Sequence, residues 1–269
     1  MIEWRQKEAC QIKPNNKFSI PEIGFGTWNI TGVQAEEAAS EALKIGYRLI
    51  DTARIYGNEY EVGQAVNRSS VPREEIMVTS KLWPSDFGYD SALRAFDGSV
   101  ERLRLDYVDL YLIHWPGSDK TRRHDAWRAM ADIYKQKRAR AIGVSNFTAG
   151  NLRNLLDFSD TPPAVNQIEF HPYVFREQRP ILDFCKENKI AVEAYSPLSG
   201  GHGMNSITAM DIAERTGRTP AQVLLRWAMQ HGTIPIPKTV HAERMKENLD
   251  VFNFELPVRD MEALDSLSG

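Results

Sequence analysis

Four side chains in the first half of the chain have the types and the setting for acid catalysis on a carbonyl: Asp51, Tyr56, Lys81 and His114. Tyrosine is a poor acid at neutral pH, with a reference pKa of about 10. An ammonium buried beside it favours the phenolate and lowers that value. Lys81 is expected to be that ammonium, with Asp51 keeping it charged and aimed. His114 would orient a carbonyl substrate or assist the proton transfer. A phenol tuned this way serves as general acid toward an oxygen that develops negative charge, and the natural partner step is hydride addition to a carbonyl. Each residue also has a plain structural reading: Asp51 as a helix cap, Lys81 as a solvated loop cation, His114 as a satisfied core histidine. Their equivalent placement along the chain favours chemistry.

Those places are strand ends. Residues 48–50 read as a short buried strand ending at Asp51, and Tyr56 follows in a polar loop before a helix over 59–67. A strand over 76–80 ends at Lys81. The next, 107–113, is nearly continuous in apolar residues, as suits a strand buried on both faces, and ends at His114. Strand 139–144 runs into Ser145 and Asn146, 164–168 carries Gln167, 190–194 ends at Tyr195, and 233–236 ends near Lys238. A first strand, 23–28, leads into a glycine-containing loop, and a small hairpin over 10–20 precedes it, with Pro14-Asn15-Asn16 as its turn.

Helices fill the gaps. One over 34–45 places Ala38, Ala39, Ala42 and Leu43 on one face, and another has Leu93, Phe96, Val100 and Leu103 at helical spacing. Others are expected over about 125–135, around Leu152, Leu155 and Leu156, and over 177–188. A pair between about 206 and 230 is split at 217–220, and the tail holds helices over about 241–249 and 257–267. Strands and helices alternate without a composition break. The pattern predicts an α/β chain, one (β/α)8 TIM barrel over residues 1–269 with an N-terminal β-hairpin. An open doubly wound sheet would open its first helix with G-x-G-x-x-G, whereas Gly24-x-Gly26 is followed by Thr27-Trp28-Asn29. In a barrel the carboxyl ends of the strands carry the chemistry. Asp51, Lys81, His114, Asn146, Gln167, Tyr195 and Lys238 would therefore share one face.

Composition narrows the partners. A formal net charge of -3 supplies no global field to recruit nucleic acid or an anionic membrane. Two cysteines, Cys10 and Cys185, have no metal-ligand spacing and read as reduced thiols of a cytoplasmic protein. Residues 1–7 show no apolar h-region, so no signal peptide is expected, and no apolar run is long enough to span a bilayer. No metal is expected, and nothing demands more than a monomer acting on a small-molecule carbonyl substrate.

Longer motifs surround the four residues. They are Gly24-Phe25-Gly26-Thr27-Trp28, Asp51-Thr52-Ala53 with Tyr56 and Asn58-Glu59, Thr79-Ser80-Lys81-Leu82-Trp83, and Leu110 to Pro116 with His114 inside it. Further on stand Ile142-Gly143-Val144-Ser145-Asn146-Phe147, Val165 to Pro172, Ala194-Tyr195-Ser196-Pro197-Leu198, and Ile236-Pro237-Lys238-Thr239. From about residue 20 to the end, in order and spacing, this set resembles the aldo-keto reductase superfamily. It is most similar to the branch of microbial and protozoan aldehyde and keto reductases, including 2,5-diketo-gluconate reductases and prostaglandin F synthases.

The resemblance implies NADPH-dependent reduction of aldehydes or ketones, with Asp51, Tyr56, Lys81 and His114 as the catalytic tetrad. It also implies cofactor contacts: Ser145, Asn146 and Gln167 on the nicotinamide carboxamide, Tyr195 stacked on its ring, and Ser196 and Leu198 along the pyrophosphate. Gly26, Thr27, Trp28 and Asp51 would contribute from the first two strand ends. Lys238, Thr239 and Arg244 would meet the adenosine 2′-phosphate beside Val240, with Glu247 and Asn248 near the adenine; a helix N-terminus with Lys and Arg is a ready phosphate site. His241 stands where a relative often has Arg, and Thr239 where Ser is common, which leaves room for secondary use of NADH. Trp28, Trp83 and Trp115 would wall an apolar substrate pocket with Tyr56 and His114. The short 199–203 segment and the absence of a long tail beyond the last helix imply an open pocket.

Two other functions compete. A metal-dependent barrel hydrolase needs clustered His and carboxylate ligands, and only His114 and His171 fall near strand ends, with no H-x-H. A non-catalytic NADP(H)-binding redox sensor or scaffold would keep the same residues but show no turnover.

Overall fold

A computed structural model describes residues 11–12 and 19–268. Strands β1 (Gln11–Ile12) and β2 (Ile20–Pro21) pair antiparallel as the arms of the expected hairpin. Its expected turn at Pro14-Asn15-Asn16 lies outside the described residues, as does Cys10.

The remaining strands alternate with helices: β3 (Phe25–Gly26), α1 (Val33–Ile45), β4 (Leu49–Asp51), α2 (Glu59–Asn67), β5 (Met77–Leu82), α3 (Tyr89–Leu103), β6 (Val108–Ile113) and α4 (Lys120–Lys135). Then come β7 (Ala139–Ser145), α5 (Ala149–Phe158), β8 (Val165–Glu169), α6 (Phe175–Glu187), β9 (Ala191–Tyr195), α7 (Ile207–Thr216), α8 (Pro220–Gln230), β10 (Thr233–Pro235), α9 (Ala242–Leu249) and α10 (Val258–Asp265). Strands β3 to β10 form one parallel sheet in chain order. The ring closes where Gly24 N–H donates to Pro235 O at 2.9 Å and Gly26 N–H to Pro237 O at 3.0 Å.

Two apolar layers follow from the alternation of side chains along each strand. Outward residues such as Ile50, Val78, Tyr111 and Val144 pack under the helices in the larger core. Inward residues, among them Leu49, Met77, Leu110, Leu112, Val165, Ala191 and Ile234, fill the barrel. Ile20 of β2 belongs to the inner cluster, so the hairpin arm seals the amino-terminal end of the barrel. With that end filled by hydrocarbon, polar groups are left to the opposite end.

Several boundaries depart from the sequence pattern: the first barrel strand covers only Phe25–Gly26 of the expected 23–28, and β5 runs on to Leu82, past Lys81. Helix α4 begins at Lys120 rather than near 125, because the Asp119 side chain accepts from Arg122 N–H at 3.0 Å and caps it. Its charged first turn carries no apolar stripe to reveal it. Strand β8 runs on to Glu169, so Gln167 sits inside the strand rather than at its end.

Closure depends on glycine at the seam. A Cβ on Gly26 would lie 2.9 Å from the backbone oxygen of Ile236, which cannot swing aside. Gly26→Ala is therefore expected to cost about 1–3 kcal/mol, read as a lower urea midpoint at unchanged m-value.

Candidate active site

β4 delivers Asp51 as its last residue, and the chain then turns through a 3-10 segment, Arg54–Tyr56, that brings the Tyr56 phenol back over the barrel mouth. Gly57 ends that turn in the left-handed region, φ 67°, where glycine is free of a Cβ penalty. Arg54 pairs with Asp86 in the loop after β5, tying the two loops together. From β5 comes Lys81, which is fully buried. Its Nζ donates to Asp51 Oδ1 at 2.6 Å, to Thr52 O at 3.1 Å and to Tyr56 Oη at 3.1 Å. All three ammonium hydrogens thus have acceptors. His114 follows β6, and its ring meets those of Tyr56 and Trp83 edge-on at 5.6 and 5.1 Å between centroids. The four expected residues are brought together.

Burial works against the Lys81 charge, but Asp51 and Tyr56 outweigh it and hold its pKa above the usual lysine value. His114 is driven the other way, to about 3, by burial and then by the Lys81 charge, so its imidazole is neutral throughout the physiological range. Tyr56 requires a correction. Lys81 pulls the phenol pKa down as expected, but burial pushes harder in the opposite direction and Asp51 adds to it, so the net shift is upward. The phenol is a proton-loaded group whose proton Lys81 makes easier to give up, not a group already part-ionised.

Behind the pair lies an amide hub. Gln167 Nε2 donates to Asp51 Oδ2 at 2.9 Å and to Glu193 Oε2 at 2.7 Å, which leaves its carbonyl oxygen for another donor. Ser145 Oγ donates to Gln167 O at 2.9 Å. Asn146, held in the left-handed region at φ 63°, donates from Nδ2 to His114 O at 2.9 Å and to Ser145 Oγ at 3.1 Å. Its Oδ1 accepts from the Tyr195 hydroxyl at 2.9 Å. Burial, with help from Glu169, pushes the Tyr195 phenol up to about 12, so it is a fixed donor. Ser145, Asn146, Gln167 and Tyr195 are therefore one interlocked group.

The other expected contacts lie further along the same end of the barrel. Ser196 adopts a left-handed turn, φ 51°, just past β9, and Leu198 is half-buried against the outer core. Lys238, Thr239 and Val240 occupy the link from β10 to α9, and Arg244 lies in the first turns of α9. Lys238 and Arg244 are exposed, and among the described residues neither has a hydrogen-bond or ion-pair partner. Thr239 is buried and accepts from His241 N–H at 3.2 Å. Asn248 is buried, whereas Glu247 accepts a hydrogen bond from Thr219 Oγ1 at 2.5 Å. Among the described residues, none of these forms a hydrogen bond or ion pair with the tetrad.

At the mouth, Trp28 is 63% exposed and Trp115 44%, which excludes core packing for either; Trp83 is half-buried. The sequence pattern gives no role to two further groups that the fold places here. Asn58 is buried, donating to Thr27 O at 2.9 Å and Ile30 O at 2.8 Å while accepting from Thr52 Oγ1 at 2.6 Å. It pins the Trp28 loop to the Asp51–Tyr56 segment, and nothing local in sequence distinguishes it from a helix-opening asparagine. Glu193 is fully buried inside β9. A charge in an otherwise apolar strand was the signal that could have found it. Among the described residues, no three His, Cys, Asp or Glu side chains are grouped to hold a metal ion.

A family model described as "Aldo/keto reductase family" matches residues 22–268. Glyoxal reductase of Bacillus subtilis is 46% identical over 258 residues, covering 96% of this chain and 92% of that protein. The 9,11-endoperoxide prostaglandin H2 reductase of Trypanosoma cruzi is 43% identical, covering 94% and 90%. The crystal structure of an aldo/keto reductase from Brucella melitensis superimposes with a TM-score of 0.92 at 45% identity, covering 96% and 97%. A variant of Gox0644 solved with NADPH gives a TM-score of 0.90 at 40% identity, covering 96% and 93%.

Removal of the Asn58 side chain would strand the buried Ile30 carbonyl and leave the Thr27 carbonyl with only the Ile30 N–H, while Thr52 Oγ1 would lose its acceptor. Asn58→Ala is expected to destabilise by about 2–4 kcal/mol in equilibrium unfolding, more than a surface Asn→Ala by the same assay.

Proposed function

The chain belongs to the aldo/keto reductase family, and from that premise we propose that it reduces aldehydes and ketones to alcohols with NADPH, Tyr56 being the general acid. The observation that carries this reading is the Tyr56 hydroxyl 3.1 Å from a buried ammonium that is itself 2.6 Å from a carboxylate. Bound NADPH would supply the hydride. As the carbonyl oxygen gains negative charge, the Tyr56 O–H bond breaks and the proton passes to that oxygen. Lys81 lowers the cost of the phenolate left behind, and Asp51 keeps Lys81 charged and directed. Neutral His114 offers an N–H to the same oxygen without competing as an acid.

The residues fit the cofactor at both ends. The free oxygen of Gln167 suits the amide hydrogens of a nicotinamide carboxamide, with Ser145 and Asn146 beside it and Tyr195 as the surface on which the ring stacks. Gly26, Thr27 and Trp28 border that position, and Ser196 and Leu198 line the path of the pyrophosphate. Lys238 and Arg244, unpaired at the start of α9, suit the 2′-phosphate, which Thr239 and Val240 adjoin, with Asn248 and Glu247 toward the adenine. His241 in place of a second guanidinium leaves NADH as a weaker alternative.

Exposed Trp28 and Trp115, with Trp83, make the mouth an apolar approach suited to small or medium carbonyl compounds.

Two variants test the assignment. Tyr56→Phe is expected to lower carbonyl turnover by about 100- to 10,000-fold, with NADPH affinity by fluorescence titration changed less than about twofold. Retained activity overturns the acid assignment. Wild-type protein that binds NADPH tightly but reduces no aldehyde or ketone in a broad panel favours the redox-sensor reading. Arg244→Ala should weaken NADPH by roughly 10- to 100-fold and NADH much less; equal loss of both would move the phosphate site elsewhere.

A further inference from the structure

The proposed reaction leaves one buried carboxyl group of the site unused. Glu193, on the inward face of β9 two residues below Tyr195, is fully buried, and among the described residues only one of its oxygens has a partner. That partner is Gln167, whose single nitrogen also donates to Asp51. Two carboxyl groups are thus joined through one amide, and the far side of Asp51 grips Lys81, which in turn touches Tyr56.

We propose that Glu193 is a positioning residue whose ionisation, carried through Gln167 and the Asp51–Lys81 pair, weakens Tyr56 as a proton donor. This rests on the reductase reading given above. The groups around it define the electrostatics. Asp51 faces it from β4 and Lys81 from β5. β8 contributes neutral Gln167 and, two residues nearer the mouth on the same face, half-exposed Glu169. β9 itself adds Tyr195 above it, and its other neighbour, β10, presents Thr233 to Pro235 with no charge.

With Glu193 protonated, the buried cluster holds one carboxylate and one ammonium and is neutral. Loss of its proton to solvent adds a second negative charge competing for the same amide hydrogens. That charge tightens the Lys81 proton and opposes the phenolate that proton donation creates. Burial, followed by the repulsion of Asp51, pushes the Glu193 carboxyl up to about 7, into the range where a cell can shift it. His114, neutral from low pH upward, supplies no competing inflection there.

The sign for stability is also determined. An unfolded Glu193 ionises at ordinary glutamate pH, whereas the folded group resists, so the wild-type fold loses stability as pH rises from about 4.5 toward 7. Glu193→Gln keeps the shape and removes the titration. Its melting temperature relative to wild type should therefore increase from about pH 5 to pH 8.

The test compares wild type and Glu193→Gln in three measurements. Under saturating NADPH and aldehyde, wild-type kcat for reduction should fall about three- to tenfold through neutral pH, and the variant should lack that inflection. Infrared difference spectra should show a carboxylic acid C=O band lost over the same interval in wild type only. A purely structural role would change kcat without moving the inflection, and identical inflections in both proteins overturn the proposal. Absence of the wild-type carboxylic acid band, or a melting-temperature difference independent of pH, overturns it as well. Failure of wild type to reduce any carbonyl sinks the reductase reading instead, a result that the infrared and melting data separate from failure of the Glu193 assignment.

Discussion

A fully buried ammonium is the constraint on which the rest of the site depends. Lys81 has no access to water, and a charge in that position is tolerated only if every hydrogen has an acceptor and a counter-charge is close. Asp51, Thr52 O and Tyr56 Oη meet both conditions. Such a pair is not a source of stability in itself, because desolvation consumes much of the attraction. Its value lies in fixing where the charge sits and in keeping it present under conditions in which a solvated lysine would wander.

The barrel provides the conditions. Hydrocarbon fills its amino-terminal end down to Ile20, so the polar side chains of the strands collect at the other end in a low-dielectric wall. Closure at Gly24 and Gly26 brings the first strand against the last, which sets the Trp28 loop beside the link leading to α9. Asn58 and Gln167 then act alike: each is a buried amide that satisfies groups from two separate segments at once, loops for Asn58 and strands β4 and β9 for Gln167. Loss of either would free more than one neighbour, as expected of polar networks in an interior.

Burial also sets the direction of each titration. It drives His114 to a neutral imidazole, holds Tyr56 and Tyr195 as phenols, and raises Glu193, while Asp51 and then Tyr56 keep Lys81 ionised against it. A neutral imidazole and a protonated phenol beside a fixed cation are the arrangement on which the proposed acid role of Tyr56 rests.

The eightfold alternation of strands and helices, the helix faces and the polar residues near strand ends are legible in the sequence. These follow from local periodicity and from chain connectivity, which leave few topologies open. The sequence also indicated Asp51, Tyr56, Lys81 and His114 together, since residue type and strand-end position survive without coordinates. The charged first turn of α4 was hidden because a cap such as Asp119 leaves no apolar stripe. How far burial outweighs Lys81 at Tyr56, the Gln167 bridge between Asp51 and Glu193, and the pinning of two loops by Asn58 emerge only in the folded chain. Those outcomes depend on desolvation and on contacts between strands distant in sequence, and neither quantity exists until the barrel closes.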